Sequence, residues 1–243
     1  MVEVPRALWP TWRGIMAADY HRYIYDLEQR RIVGDFDAAY RLCDDVWPTQ
    51  HEVYRQKFRV IHDRARRLAE HLGRPARVLD VGAGYGDFVA SLLNDGVDAA
   101  GVEVSAEAVR RGRERFGFGE RLQVADLRAG LPFASGAFDI VVLYGVMWFL
   151  LDHLDHSLAE LHRVTCADGW LAASVTVPAD PIGGHIMGSY DDFVRILQRR
   201  FVVQEACTMY DATALAAGTP VAASVFDFVA FCSPAPGSAP AAT

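Results

Sequence analysis

The apolar positions of the chain change period near residue 76. Before it, Tyr54, Phe58, Ile61, Ala65, Leu68 and Leu72 recur at helical spacing and line one face of a helix from Thr49 to Leu72. Thr49 and Glu52 stand three apart just after Pro48, so hydroxyl and carboxylate can each satisfy an orphan backbone donor at the helix start. Arg64, Arg66, Arg67 and His71 crowd the far end, where the helix dipole favours cations, and Gly73 with Pro75 stops the helix. Upstream, Met16 to Arg31 and Asp35 to Val46 read as two shorter helices.

After residue 76 the apolar runs shorten to strand length. Seven of them follow: Arg77–Val81, Ala99–Val104, Leu122–Ala125, Phe138–Tyr144, Trp170–Val177, Phe201–Met209 and Val221–Cys232. Helical stretches at Asp87–Asn94, Ala106–Phe116 and His153–Thr165 separate the first five. Strands apolar on both faces and alternating with helices imply a parallel sheet covered on both sides, so the expected class is α/β, doubly wound. Residues 1–75 form an N-terminal helical extension in this reading and 76–232 the sheet domain. The Pro/Ala/Ser tail at 233–243 has nothing to bury and is expected to be disordered.

Composition narrows the function classes. Thirty-one acidic against 24 basic side chains give a net charge of −7, which argues against binding a nucleic-acid backbone. The most apolar run, Ile140 to Leu151, is too short to span a bilayer, and Met1 to Pro10 lacks the basic head and apolar core of a secretory signal. Cys43, Cys166, Cys207 and Cys232 are scattered, with no metal-ligand spacing. They read as buried small hydrophobes in a reducing compartment, without a metal site. A cytoplasmic protein, with no membrane partner, is the expectation. Lys57 is the only lysine, a bias that reads as genomic base composition.

The chemistry concentrates at Val78-Leu79-Asp80-Val81-Gly82-Ala83-Gly84-Tyr85-Gly86-Asp87. A buried strand ends near Asp80, turns through three glycines and enters a helix whose first N–H groups are unpaired. A dinucleotide fingerprint would place its third glycine at position 87, where Asp87 stands. An acid ahead of the glycines disfavours a pyrophosphate and suits a ligand end bearing an amine. Glu103 closes the second strand, where a carboxylate can accept both hydroxyls of a ribose. Ser105 follows at an N-cap position. Asp126 and Leu127 close the third strand, an acceptor beside an apolar side chain that suits a purine amine and ring face.

These residues resemble the class I S-adenosylmethionine-dependent methyltransferases, over about two thirds of the chain from Ala76 to Cys232. VLDVGAGYG at 78–86, Glu103, VADL at 124–127 with Leu131-Pro132-Phe133, FDIVVLYGV at 138–146 and LHRVTCADGWL at 161–171 carry the resemblance. It implies a mostly parallel, seven-stranded Rossmann-like sheet whose last strand is antiparallel. By the same resemblance Asp80 and the loop Gly82, Ala83, Gly84 and Gly86 hold the methionyl end of S-adenosylmethionine. Glu103 takes the ribose with Val104 beside it, and Asp126 and Leu127 take the adenine. Tyr144 faces the methyl-transfer centre, and S-adenosylhomocysteine is the product. Ala167-Asp168-Gly169 stands where the family often has a Pro-Gly-Gly turn. Tyr144-Gly145-Val146-Met147 replaces the Asn-Pro-Pro-Tyr-like tetrapeptide of base and glutamine methylation, which points to oxygen or nitrogen of a small molecule.

Any general base should lie past the strand carboxyl ends, and His185, in the glycine-rich 180–188 loop, and then His153 are the candidates. That loop is suited to closing over a substrate. Tyr20, Tyr23, Trp148 and His185 are the candidate substrate contacts. The aromatic N-terminal segment reads either as a lid or as packing at the sheet edge or a homodimer contact. The composition fits a biosynthetic enzyme of specialised metabolism in a GC-rich bacterium. Two other readings stay open: a fold relative that binds the cofactor without methylating, steering a cyclisation or acting as a regulatory partner, and a nicotinamide oxidoreductase.

Overall fold

The computed structural model describes residues 22–26, 28–44, 46–47, 52–176, 182–210 and 226–236. Strand β3 (Arg77–Val81) is buried at four of its five positions, which suits it to the middle of the sheet. It pairs in parallel with β4 (Asp98–Glu103) on one side and β6 (Phe138–Tyr144) on the other. Beyond β4 lies the short edge strand β5 (Leu122–Val124). Beyond β6 come β7 (Thr165–Val175), β9 (Phe226–Pro234) and β8 (Phe201–Tyr210), with β9 antiparallel to both neighbours. The order is β5-β4-β3-β6-β7-β9-β8, the seven-stranded, doubly wound α/β sheet with its last strand antiparallel.

Two cores flank this sheet, as alternation along its strands requires. Val78, Ile140, Val142, Ala172 and Phe231 face helices α2 (Glu52–Leu72) and α3 (Asp87–Asn94), where Ile61, Ala65, Val89 and Leu92 are buried. Leu79, Val81, Val141, Leu143, Leu171 and Ala173 face α5 (Leu154–Val164) and α6 (Tyr190–Leu197). His62 ties α2 to α3, its Nδ1 2.8 Å from Asp95 and its Nε2 3.0 Å from Ser91 Oγ. Helix α4 (Ala106–Phe116) starts at Ser105, whose hydroxyl accepts from the Ala108 N–H as an N-cap should.

The N-terminal elements differ from the expectation. Where Met16 to Arg31 read as a helix, the described part holds a hairpin of β1 (Tyr25–Asp26) and β2 (Arg31–Ile32). Its turn is closed by the Asp26 carboxylate, which accepts from the Gln29 N–H, and by Arg30 at φ 51°. Helix α1 (Phe36–Leu42), capped by Asp35, ends four residues before the expected Val46 because Cys43 is extended. Thr49 and residues 221–225 of the seventh run lie outside the described residues, as does the tail from 237. Ser233 and Pro234 belong to β9 instead of the tail. Ala167-Asp168-Gly169 is no separate turn: β7 starts at once after α5 and absorbs these residues in a register shift opposite Phe138 and Ile140. Of the cysteines only Cys232 is fully buried, and Cys207 is exposed, against the reading of four buried thiols. Among the described residues no helix is long and apolar enough to cross a membrane.

Candidate functional site

Residues at the carboxyl ends of β3 and β4 meet at a glycine loop. Gly82, Gly84 and Gly86 adopt φ of 82°, 56° and 84°, a left-handed backbone that side chains resist. The loop is pinned from inside: the Gly82 and Ala83 N–H groups donate to the Val102 carbonyl, and the Gly86 N–H to that of Ala83. Glu103 holds the rest. Its Oε2 accepts from the Gly84 N–H at 3.0 Å and its Oε1 from the Ser105 N–H at 2.9 Å.

Asp80 and Glu103 are each only 6% exposed. Burial, followed by the charge of Glu103, pushes the Asp80 carboxyl up to about 7. Burial also raises Glu103, although its backbone hydrogen bonds pull the other way. No hydrogen-bond donor reaches the Asp80 carboxylate among the described residues. Two desolvated acids beside one another are costly unless something cationic or rich in hydroxyls answers them. The donor set of an amino-acid amine and a ribose diol fits this pair. Val104, 36% exposed next to Glu103, leaves apolar surface bare beside it.

Asp126 departs from the expectation of an acceptor awaiting an adenine amine. Arg128 grips both its oxygens at 2.8–3.0 Å and, with its backbone N–H, holds the carboxyl below the usual range. His153, exposed at the end of the 3-10 turn Met147–His153, lies close enough to add a smaller lowering effect. Leu127 is buried. Tyr144 is the last residue of β6, as expected. Its half-buried ring carries the ammonium of Lys57 at 5.5 Å from the centroid. Lys57 is 1% exposed, so the single lysine taken for a compositional accident is buried between α2 and the end of β6.

The acceptor-side candidates spread over several elements. Trp148 donates its indole N–H to the Thr176 carbonyl at 3.1 Å, which fixes its ring. His185 sits exposed on a turn whose neighbours are packed down: Met187 is fully buried, and a Cβ on Gly183 would lie 2.4 Å from Leu151. Tyr20 lies outside the described residues. Tyr23 joins Ile24, Tyr25, Phe36, Tyr40, Trp47, Tyr85 and Phe149 in a third cluster, which seats the hairpin and α1 on the glycine loop and on Ala108 of α4.

Sequence reasoning placed a helix at α1 but missed its contacts with the site. Asp37 accepts from Ser105 Oγ and, at 3.0 Å, from the Glu107 N–H. Tyr85 donates to the Cys43 carbonyl at 3.1 Å, and Tyr40 meets the Tyr85 ring edge-on at 5.0 Å. The signal present was Phe36, Ala39, Tyr40 and Cys43 at helical spacing, which marks a buried face without naming what it faces. An open groove of about 640 Å³ lies at the opposite end of the sheet, by Arg74, Arg77 and Arg121. Its arginines are already committed to Asp139 and Asp98.

Residues 79–173 match the family model described as a methyltransferase domain. A methyltransferase of Mycobacterium sp. strain JLS is 34% identical over 113 residues, 46% of this chain and 43% of that protein. The malonyl-[acyl-carrier protein] O-methyltransferase of Geobacter sulfurreducens is 37% identical over 101 residues, 40% of this chain and 38% of its own. The matched stretch thus spans under half the length of these relatives. Among solved structures, the N-methyltransferase NodS of Bradyrhizobium japonicum, in complex with S-adenosyl-L-homocysteine, superposes with a TM-score of 0.57 at 16% identity, covering 79% of this chain and 93% of NodS.

Proposed function

We propose that this chain, whose residues 79–173 match the methyltransferase-domain model, transfers a methyl group from S-adenosylmethionine to an oxygen or nitrogen of a small molecule. The observation that carries the reading is the pair of buried acids, Asp80 and Glu103, at the ends of adjacent strands around the left-handed glycine loop. Asp80 would hold the methionyl amine and Glu103 the ribose hydroxyls. Val104 and Leu127 would flank the adenine, with Asp126 accepting from its amine on lone pairs that Arg128 leaves over.

When bound, S-adenosylmethionine supplies an electrophilic methyl on a cationic sulfur. What the protein must add is placement of the acceptor, which can be worth about 7–11 kcal/mol, and removal of a proton where the acceptor carries one. Tyr144 and Trp148 would form the acceptor wall, with Tyr23 on the lid side. His153 is the first choice for the proton because it ends the 3-10 turn that follows β6, within electrostatic reach of Asp126, and His185 is the second. That the Geobacter sulfurreducens relative is named as an O-methyltransferase supports an oxygen acceptor. The acidic net charge supports a small acceptor over a nucleic acid.

Calorimetric titration with S-adenosylhomocysteine and with NAD tests the cofactor reading. Binding of the first and not the second is expected, and the reverse overturns it. Transfer of labelled methyl from S-adenosylmethionine to a panel of phenols, carboxylates and amines tests the reaction. Tight binding with no transfer to any acceptor would move the chain to the non-methylating class.

A further inference from the structure

The glycine loop has few donors left for an anionic ligand group. Of the five N–H groups from Gly82 to Gly86, four are engaged within the fold: two on the Val102 carbonyl, one on that of Ala83 and one on Glu103. A carboxylate brought to this loop therefore needs a donor from elsewhere. The loop's own acids make that need sharper, because Asp80 and Glu103 repel a negative group.

One side chain stands over the loop with a proton to give. Tyr40, on α1, is 2% exposed, and a Cβ placed on Gly84 would lie 2.9 Å from its hydroxyl oxygen. Burial, followed by the nearby charge of Glu103, pushes its pKa well above the ordinary tyrosine range, so the group keeps its proton. Among the described residues that O–H meets no acceptor. Its position over Gly84 points to the acceptor that would complete it.

We propose that Tyr40 is a cofactor-positioning residue, donating its hydroxyl proton to the carboxylate of the methionyl end above Gly84, so that α1 is a wall of the binding site. The proposal rests on the cofactor reading above and assigns the N-terminal segment a part in it. It also gives position 84 a second reason to be glycine, beside its left-handed backbone, since a Cβ there would crowd the hydroxyl.

The test compares two ligands on the full chain and on Tyr40→Phe, which removes one oxygen and keeps the ring. S-adenosylhomocysteine carries the amino-acid end, and 5′-methylthioadenosine has the adenosine without it. In calorimetric titrations Tyr40→Phe should weaken S-adenosylhomocysteine at least tenfold and leave 5′-methylthioadenosine unchanged. Equal weakening of both ligands would make Tyr40 a packing residue and overturn the proposal, as would no weakening of either. If the unmutated chain binds neither ligand, the cofactor reading itself fails and takes this proposal with it.

Discussion

Glu103 serves the fold and the ligand with the same two oxygens. Glu103→Gln replaces one acceptor by an NH2 that opposes either the Gly84 or the Ser105 N–H. It also removes a buried charge, which offsets part of that loss. The net effect on folding is therefore small, within about 1–2 kcal/mol, whereas hydrogen bonds from ribose hydroxyls to a charged acceptor are worth about 1.5–3 kcal/mol each. Affinity for S-adenosylhomocysteine, measured by calorimetry, should fall a hundredfold or more while the melting temperature moves by a few degrees. Gly82→Ala acts the other way round. At φ 82°, with a Cβ 2.4 Å from Val146 Cγ2, it should cost about 1–3 kcal/mol in denaturant unfolding. Adding Val146→Ala relieves the contact but not the backbone, so the double variant should recover only part of the loss. Asp80, Glu103 and the three glycines were legible in the sequence because each is fixed by its place at a strand end. The engagement of Asp126 by Arg128 was not, since a two-residue offset within a turn has no periodic signature.

The elements that repeat a period were legible, and those held by side chains were not. Helix α2 and the strands from β3 to β8 announce themselves by spacing, and their observed bounds lie within a few residues of the expected ones, except that β7 starts five residues early at Thr165. The β1–β2 hairpin does not: Tyr25, Asp26, Arg31 and Ile32 form too short a pair to show alternation, and the Asp26 cap outweighs the helical propensity of its neighbours. Helix α1 was found but its task was not, because its partners lie some 70 residues away. Asp37 answers two donors at the start of α4, and Arg111 of α4 returns to Asp44 at 2.9 Å and to the Arg41 carbonyl. Asp37→Ala leaves the Ser105 hydroxyl and the Glu107 N–H without that partner, a loss of about 1 kcal/mol. The expected result is local. Amide exchange of residues 23–43 should accelerate while β3, β4 and β6 stay protected, and uniform acceleration across the sheet would refute a separable N-terminal cap.

The two ends of the sheet are built to opposite rules. At the amino end Asp139, its side chain 5% exposed, receives Arg74 and Arg77 and the Arg77 N–H, and these hold its carboxyl far below the usual range despite burial. At the carboxyl end Asp80 stands buried without a described donor and is pushed up to about 7. The signs follow from linkage. Asp139, depressed in the folded chain, contributes stability that is present above its unfolded value near 4 and is lost as pH falls below it. Asp80, raised, contributes stability that is full below about 4 and is lost as pH rises towards and through 7. The ligand-free chain should therefore lose stability from pH 4 to 8 by a few kcal/mol, several degrees in melting temperature. Asp80→Asn should flatten that decline. A cationic amine that pairs with the charged form of Asp80 reverses it, so stabilisation by S-adenosylhomocysteine should be larger at pH 8 than at pH 5. Melting curves at both pH values, with and without the ligand, decide the matter. A ligand shift independent of pH would mean that Asp80 does not face the amine, and that the cost of burying it serves the fold alone.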